Sequence, residues 1–156
     1  MMTGKIVLFS ILCGVVAVSA EVEEFASAKT SAMEWNLPDQ SPRGLALRLA
    51  AGDAGEGYQV HDGFWSGTLE KDAPILLEVY LFEGNDYRFS AANTDPESHL
   101  VLSIFDTWGY AASGDYSDGR SYSTAGISVL RTGRYFVRLV MTEGDKADAC
   151  VVYSYK

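Results

Sequence analysis

Residues 75–91 read ILLEVYLFEGNDYRFSA, and this run decides how the longer stretch from Ile75 to Met141 folds. Ile75, Leu77, Val79 and Leu81 alternate with Leu76, Glu78, Tyr80 and Phe82, the period of two expected of a strand with one face on a core. Glu83-Gly84-Asn85-Asp86 carries turn residues, with Gly84 suited to a positive φ. Beyond it Tyr87, Phe89 and Ala91 alternate with Arg88 and Ser90, so the two runs predict a hairpin with a four-residue loop. Leu100, Leu102 and Ile104 repeat the pattern up to Asp106-Thr107-Trp108-Gly109, a turn that predicts a short return strand over Tyr110–Ser113. Gly114–Arg120 reads as a polar loop and Tyr122–Leu130 as a further strand. Arg131-Thr132-Gly133 predicts a tight reversal. Tyr135, Val137, Leu139 and Met141 then line one face with Arg134 and Arg138 opposite. Cys150–Tyr155 makes the last strand, and Phe64–Glu70 the first, with Lys71-Asp72-Ala73-Pro74 as the turn into Ile75. The class is mainly β, an antiparallel β-sandwich.

The other end of the chain has a different composition. Lys5 precedes an apolar run from Ile6 to Val18, and Val18-Ser19-Ala20 supplies the small residues that a signal peptidase reads. The run is shorter than the roughly 18 to 20 residues a membrane helix needs, and Glu21, Glu23 and Glu24 follow at once. Residues 1–20 are therefore expected to be a cleavable export signal, leaving no membrane span and placing the protein in the periplasm or outside the cell. A lipid anchor at Cys13 fits poorly with the bulky Leu12 before it. Phe25, Ala28, Ala32 and Trp35 recur at helical spacing, predicting an amphipathic helix over Glu21–Trp35 that Leu37-Pro38-Asp39 ends. Ser41-Pro42 has the form of an N-cap followed by a first-turn proline, and Leu45, Arg48, Leu49 and Ala50 fit a second short helix. Leu45, Leu47 and Leu49 also alternate as a strand would, so residues 42–56 stay open between helix and strand. The expected division is 1–20 signal, 21–62 helical lead-in packing on the sandwich, and 63–156 sandwich.

The formal net charge is −9, and −10 once residues 1–20 and Lys5 with them are removed. That balance argues against nucleic acid and anionic membranes, which attract a basic footprint. Cys150, the one cysteine beyond the signal, cannot pair within the chain, and beside Val151 and Val152 it reads as a small apolar filler. His61 and His99 lack zinc-ligand spacing, and no G-x-S-x-G occurs. No constellation identifies a reaction. Asp95, Glu97, Asp106, Asp115 and Asp118 place hard oxygen ligands in loops, as calcium prefers, although the same carboxylates also initiate turns and no EF-hand spacing is present. Calcium is the one cofactor the sequence admits. Trp108 and Tyr110 flank Gly109, while Tyr116 and Tyr122 bracket the next loop, and loop aromatics stack on sugar rings or peptides. The competing reading is that Trp108 covers the end of the sandwich. Tyr80, Phe82 and Phe136 fall opposite the apolar faces of their strands and are expected to meet the N-terminal helix.

Four short motifs in order resemble the bacterial pre-peptidase C-terminal domain: Gly67-Thr68-Leu69-Glu70, the hairpin Val79–Tyr87, Leu102-Ser103-Ile104-Phe105-Asp106-Thr107-Trp108-Gly109, and Thr132-Gly133-Arg134-Tyr135-Phe136-Val137-Arg138-Leu139. The resemblance covers residues 64–156 and implies a jelly-roll-like sandwich of about eight strands. Gly133 then starts a strand whose Tyr135 points into the core. The family usually forms a tail on secreted proteases, and related domains of clostridial collagenases bind collagen and calcium. The roughly 43 residues between the cleavage point and Phe64 are too few for a protease. No catalytic residue is carried over, because the motifs are structural. The functional expectation is a non-catalytic exported module engaging a polymer (polysaccharide or protein) or a protein partner through Trp108, Tyr110, Tyr116 and Tyr122. The other reading is a structural or assembly protein of the cell envelope.

Overall fold

Among the described residues, the alternating runs become eight strands in two stacked antiparallel sheets, with one short helix before them. The computed structural model describes residues 39–113 and 116–156, and backbone only at Asp62, Phe64 and residues 116–118. The expected signal and the helix over Glu21–Trp35 lie outside the described residues. The strands are β1 (Gln59–Glu70), β2 (Ile75–Leu81), β3 (Asp86–Asn93), β4 (His99–Phe105), β5 (Tyr116–Asp118), β6 (Tyr122–Ser128), β7 (Gly133–Glu143) and β8 (Lys146–Tyr155). Sheet A has the order β1-β8-β3-β6-β5 and sheet B the order β2-β7-β4. The first strand starts at Gln59, earlier than the sequence suggested, and the last starts at Lys146.

Residues 42–56 resolve as a helix, α1 (Pro42–Gly52), followed by a 3-10 turn at Asp53–Glu56. Ser41 caps it in extended conformation, its Oγ accepting from Gly44 N at 3.1 Å, and Pro42 opens the first turn without sacrificing an N–H. Ser41 N in turn donates to Asp39 Oδ1 at 2.9 Å, which holds that carboxyl below its ordinary pKa. Ala46 and Ala50, four residues apart on one face, are buried against Ala92, Cys150 and Val152 of sheet A. The leucines that left the reading open lie half-buried around this contact.

The interior takes the inward rows of both sheets. Phe89 and Val151 from sheet A meet Leu102, Val137, Leu139 and Met141 from sheet B, the last three fully buried. Tyr135 is also buried, its hydroxyl donating to Arg131 O at 2.9 Å, so the ring fills the core while its polar end pins the preceding turn. The Trp65 ring lies across Gly67: a Cβ there would lie 2.6 Å from Trp65 Cζ2, and the ring would have to turn aside.

Two connections differ from expectation. The predicted hairpin over residues 75–91 is a crossing between sheets, because β2 belongs to sheet B and β3 to sheet A. Inward rows facing each other across a core have the same parity as rows side by side in one sheet, so periodicity alone cannot distinguish them. The turn is held by Gly84 N to Val129 O at 3.0 Å and Glu83 N to Thr132 Oγ1 at 2.9 Å, with Gly84 at φ 86°. Of the named connections only β5–β6 joins neighbours in one sheet. Likewise Tyr110–Ser113 is not a strand but a single bridge, Phe105 to Ala111, since the chain must leave sheet B to form β5.

Candidate functional site

The order β2-β7-β4 places three connections side by side at one end of sheet B: Phe82 after β2, Leu130-Arg131 before β7, and Trp108 after β4. Asp106 builds the last of these. Its Oδ1 accepts from Trp108 N at 3.0 Å and from Tyr110 N at 2.8 Å, and Gly109 takes φ 84°. With the backbone polar groups satisfied internally, both aromatic side chains are turned out, Trp108 to 67% and Tyr110 to 72% exposure. The Arg131 guanidinium lies 5.7 Å from the Trp108 ring centroid. Leu130 is 87% exposed, and Phe82 is exposed with its ring edge-on to Tyr80. The end therefore offers apolar and aromatic surface with a guanidinium at its centre.

The four expected aromatics are not brought together. Tyr122 pairs with Ala92 at the end of β3, at the opposite end of the sandwich from Trp108. Its ring lies against Gly119 and, with Leu45, Arg48, Leu49 and Ala92, lines a hollow of about 220 Å³ beside α1. Tyr116 is described in backbone only, opposite Ala125. Phe82, Leu130 and Arg131 are not among the expected site residues: Phe82 reads as a helix contact and Arg131 as part of a reversal. The available signal was an apolar Leu130 inside the turn before Gly133, where a polar residue would be usual.

The expected calcium ligands also separate. Asp95 Oδ1 accepts from Glu97 N at 3.0 Å, and Glu97 pairs with Arg120 at 3.2 Å, both side chains exposed. Asp106 lies beyond the far end of β4, a seven-residue strand, hence roughly 20 Å away at the usual strand rise. Asp115 and the side chain of Asp118 are outside the described residues. Among the described residues no three His, Cys, Asp or Glu side chains are grouped to hold a metal.

A polar cluster on sheet A fastens the end of α1. Arg88 pairs with Asp53, lies 3.7 Å from Glu56 and 4.8 Å from the Tyr58 ring centroid, while Lys156 Nζ lies 4.5 Å from that same centroid. Burial opposes the charge on Arg88, but the Asp53 hydrogen bond and charge outweigh it, with Tyr58 and Glu56 adding to them, and the net effect raises its pKa. Tyr80 and Phe82, expected to meet the N-terminal helix, are exposed on and beside the outer face of sheet B, whereas α1 lies on sheet A. The helix named in that expectation is outside the described residues.

No protein-family model matches the chain, and no curated protein does. Solved structures are similar in fold. PliG of Aeromonas hydrophila, a periplasmic lysozyme inhibitor of g-type lysozyme, shares 11% identity at a TM-score of 0.47, over 62% of this chain and 88% of that one. TmCBM61, solved in complex with beta-1,4-galactotriose, shares 16% identity at 0.35, over 64% of this chain and 68% of that one. The SPBc2 prophage-derived protein YomS shares 8% identity at 0.35, over 62% and 98%. Likenesses this distant carry no argument about binding. The resemblance to the pre-peptidase domain gains no support from these comparisons, which show a β-sandwich and nothing finer. Among the described residues, no helix is long and apolar enough to cross a membrane.

Proposed function

We propose that the protein is an exported, non-catalytic binding module that engages a protein or polymer partner through the end of the sandwich bearing Phe82, Trp108, Tyr110, Leu130 and Arg131. The observation that carries this reading is the Asp106 turn, which uses its backbone bonds to hold two large aromatics in solvent beside a cation. Aromatics with few rotatable bonds lose little entropy when a partner covers them, and Trp, Tyr and Arg are the side chains enriched at interaction hot spots. A domain that needed Trp108 for its own stability would bury it, because a buried indole contributes several kcal/mol, on the order of 3 to 5 by truncation.

Retention on insoluble polysaccharides and on collagen, compared with Trp108→Ala, tests the proposal. Trp108→Ala is expected to abolish retention on whichever matrix holds the parent while leaving its melting temperature within a few degrees. Retention on none of the matrices would sink the polymer branch, and unchanged retention of Trp108→Ala would sink the site.

A further inference from the structure

We propose that the polar hollow between the 3-10 turn and the ends of β3, β6 and β8 binds a single neutral sugar residue through its hydroxyls. This goes beyond the loop-end reading and does not depend on it. The hollow, about 310 Å³, is lined by Glu56, Tyr58, Asp86, Arg88, Ser128 and Lys156 among others, and Gly126 adds no side chain to its wall. Its volume lies at the lower end of the roughly 300 to 1,000 Å³ usual for small-molecule sites. Most such sites are apolar with a few polar groups, whereas polar groups dominate here, which suits a polyhydroxylated ligand.

Strand register builds one side of the hollow. Asp86 faces Ser128 across the β3 and β6 pair, and it exchanges backbone bonds with Lys156, Asp86 N to Lys156 O at 2.9 Å and Lys156 N to Asp86 O at 3.0 Å. Ser128 Oγ donates to Asp86 Oδ1 at 2.6 Å, which sets the orientation of a carboxylate that has accepting capacity beyond this one bond. The other side comes from the chain leaving α1, where Gly57, at φ 88°, turns it between Glu56 and Tyr58. The Tyr58 ring holds both cations, Arg88 at 4.8 Å and Lys156 Nζ at 4.5 Å from its centroid, and Arg88 is tied to Asp53 as well. The polar groups are thus ordered before a ligand arrives, so binding costs little of their freedom.

The charges present favour hydroxyls over an ion. Arg88 and Lys156 stand against Glu56, Asp86 and, behind Arg88, Asp53, so the hollow has no positive excess to attract an anion. A cation would meet the same two positive groups. A hydroxyl, by contrast, donates one hydrogen bond and accepts others, so it gives to a carboxylate and takes from an ammonium or guanidinium at once. Both bonds are charge-assisted, hence about twice as strong as neutral ones. Neighbouring hydroxyls of a pyranose repeat that arrangement around a rigid ring.

The test titrates the full chain with D-glucose, D-galactose, D-mannose and N-acetyl-D-glucosamine, and with inorganic phosphate and L-lysine as anionic and cationic counterparts. At least one of the sugars is expected to bind with millimolar affinity and to shift the amide resonances of Tyr58, Asp86, Arg88 and Lys156. Asp86→Ala and Lys156→Ala each remove one charged partner and should weaken that sugar about tenfold. If Asp86→Ala misfolds, Lys156→Ala, at an exposed position, carries the test alone. No shift with any of the sugars, shifts confined to the Trp108 end, equal sugar affinity of Lys156→Ala and the parent, or tighter binding of phosphate or lysine than of every sugar would each overturn the proposal.

Discussion

The outer row of sheet A carries Ser90, Ala92, Cys150, Val152 and Ser154, whereas the outer row of sheet B carries Leu76, Tyr80, Phe105, Phe136 and two arginines. The first row lies under α1 for part of its length and is buried, and the second has half-buried and exposed side chains. Side-chain size accounts for the difference. Alanine and cysteine let a helix that presents Ala46 and Ala50 approach the sheet closely, while tyrosine, phenylalanine and arginine hold any neighbour at a distance, and arginine gains by keeping its charged head in water. Among the described residues, one face of the sandwich is thus covered by α1 and the other is left open.

The largest expected effect comes from placing a charge on the covered face. Ala92→Arg would bury a guanidinium under α1 with no carboxylate facing it from Ala46 or Ala50, and should cost about 3 kcal/mol or more. Tyr80→Arg on the open face should stay within about 0.5 kcal/mol of the parent. Urea denaturation of the two variants measures the contrast directly, and equal losses would remove it.

Next in size is the tie at the end of the helix. Arg88 and Asp53 are about four-fifths buried by side-chain exposure, 19% and 17% remaining. Removing either partner leaves the other desolvated, so Asp53→Ala should cost about 1 to 3 kcal/mol and raise hydrogen exchange throughout α1. Amide exchange that speeds up evenly over both sheets instead would show that the pair does not act on the helix.

Both outer rows were present in the sequence, and only one aspect of them was legible there. The inward residues Ile75, Tyr87, Leu102 and Val137 follow from parity, which is why the sandwich itself could be read. What parity omits is which sheet a strand joins. The β2–β3 turn therefore passes for a hairpin, and the small residues Ala92 and Cys150 that seat α1 do not stand out as a helix contact. The candidate end suffered the same way. Trp108 and Tyr110 were visible because they flank Gly109, but Leu130 and Arg131 join them only through the spatial order β2-β7-β4, and Tyr122 leaves them for the same reason.

Tyr135→Phe should cost about 1 kcal/mol, the usual value of one hydrogen bond, by releasing Arg131 O. Because Arg131 lies over Trp108, the same variant should also change Trp108 fluorescence in the folded protein. An unaltered emission spectrum would mean that the turn is fixed by other contacts.

Alkaline pH acts on both faces of β8, through Cys150 under α1 and Tyr153 in the inward row. Burial pushes the Cys150 thiol and the Tyr153 phenol above their ordinary values of 9.0 and 10.0, with Tyr87 and Tyr155 adding to the shift of Tyr153. Below pH 9.0 folded and unfolded chains hold the same protons at these groups, and their full contribution to stability is present. Above it the unfolded chain releases protons that the native chain retains, so stability falls as pH rises. Cys150→Ala should shallow the part of that fall that starts near pH 9.0. A parent and variant with superimposable stability profiles from neutral to alkaline pH would refute the assignment.

The smallest expected effect has the opposite sign. Ser90 Oγ and Ser154 Oγ are fully buried on the outer side of sheet A and bond to no described residue. Ser90 faces Val152 and Ser154 faces Arg88 in the strand register, so the two hydroxyls occupy adjacent rungs beneath the covered face. A hydroxyl removed from water without a partner is a penalty that alanine does not carry, and the methyl that remains still fills most of the same space. Ser90→Ala and Ser154→Ala should therefore each raise stability, by up to about 1 kcal/mol. On the open face the comparable change, Ser103→Ala at a half-buried position with water within reach, should do almost nothing. A loss of stability on the covered face would show that these hydroxyls are bonded in solution. Small size alone would then not explain why serine, rather than alanine, stands on this side of the sheet.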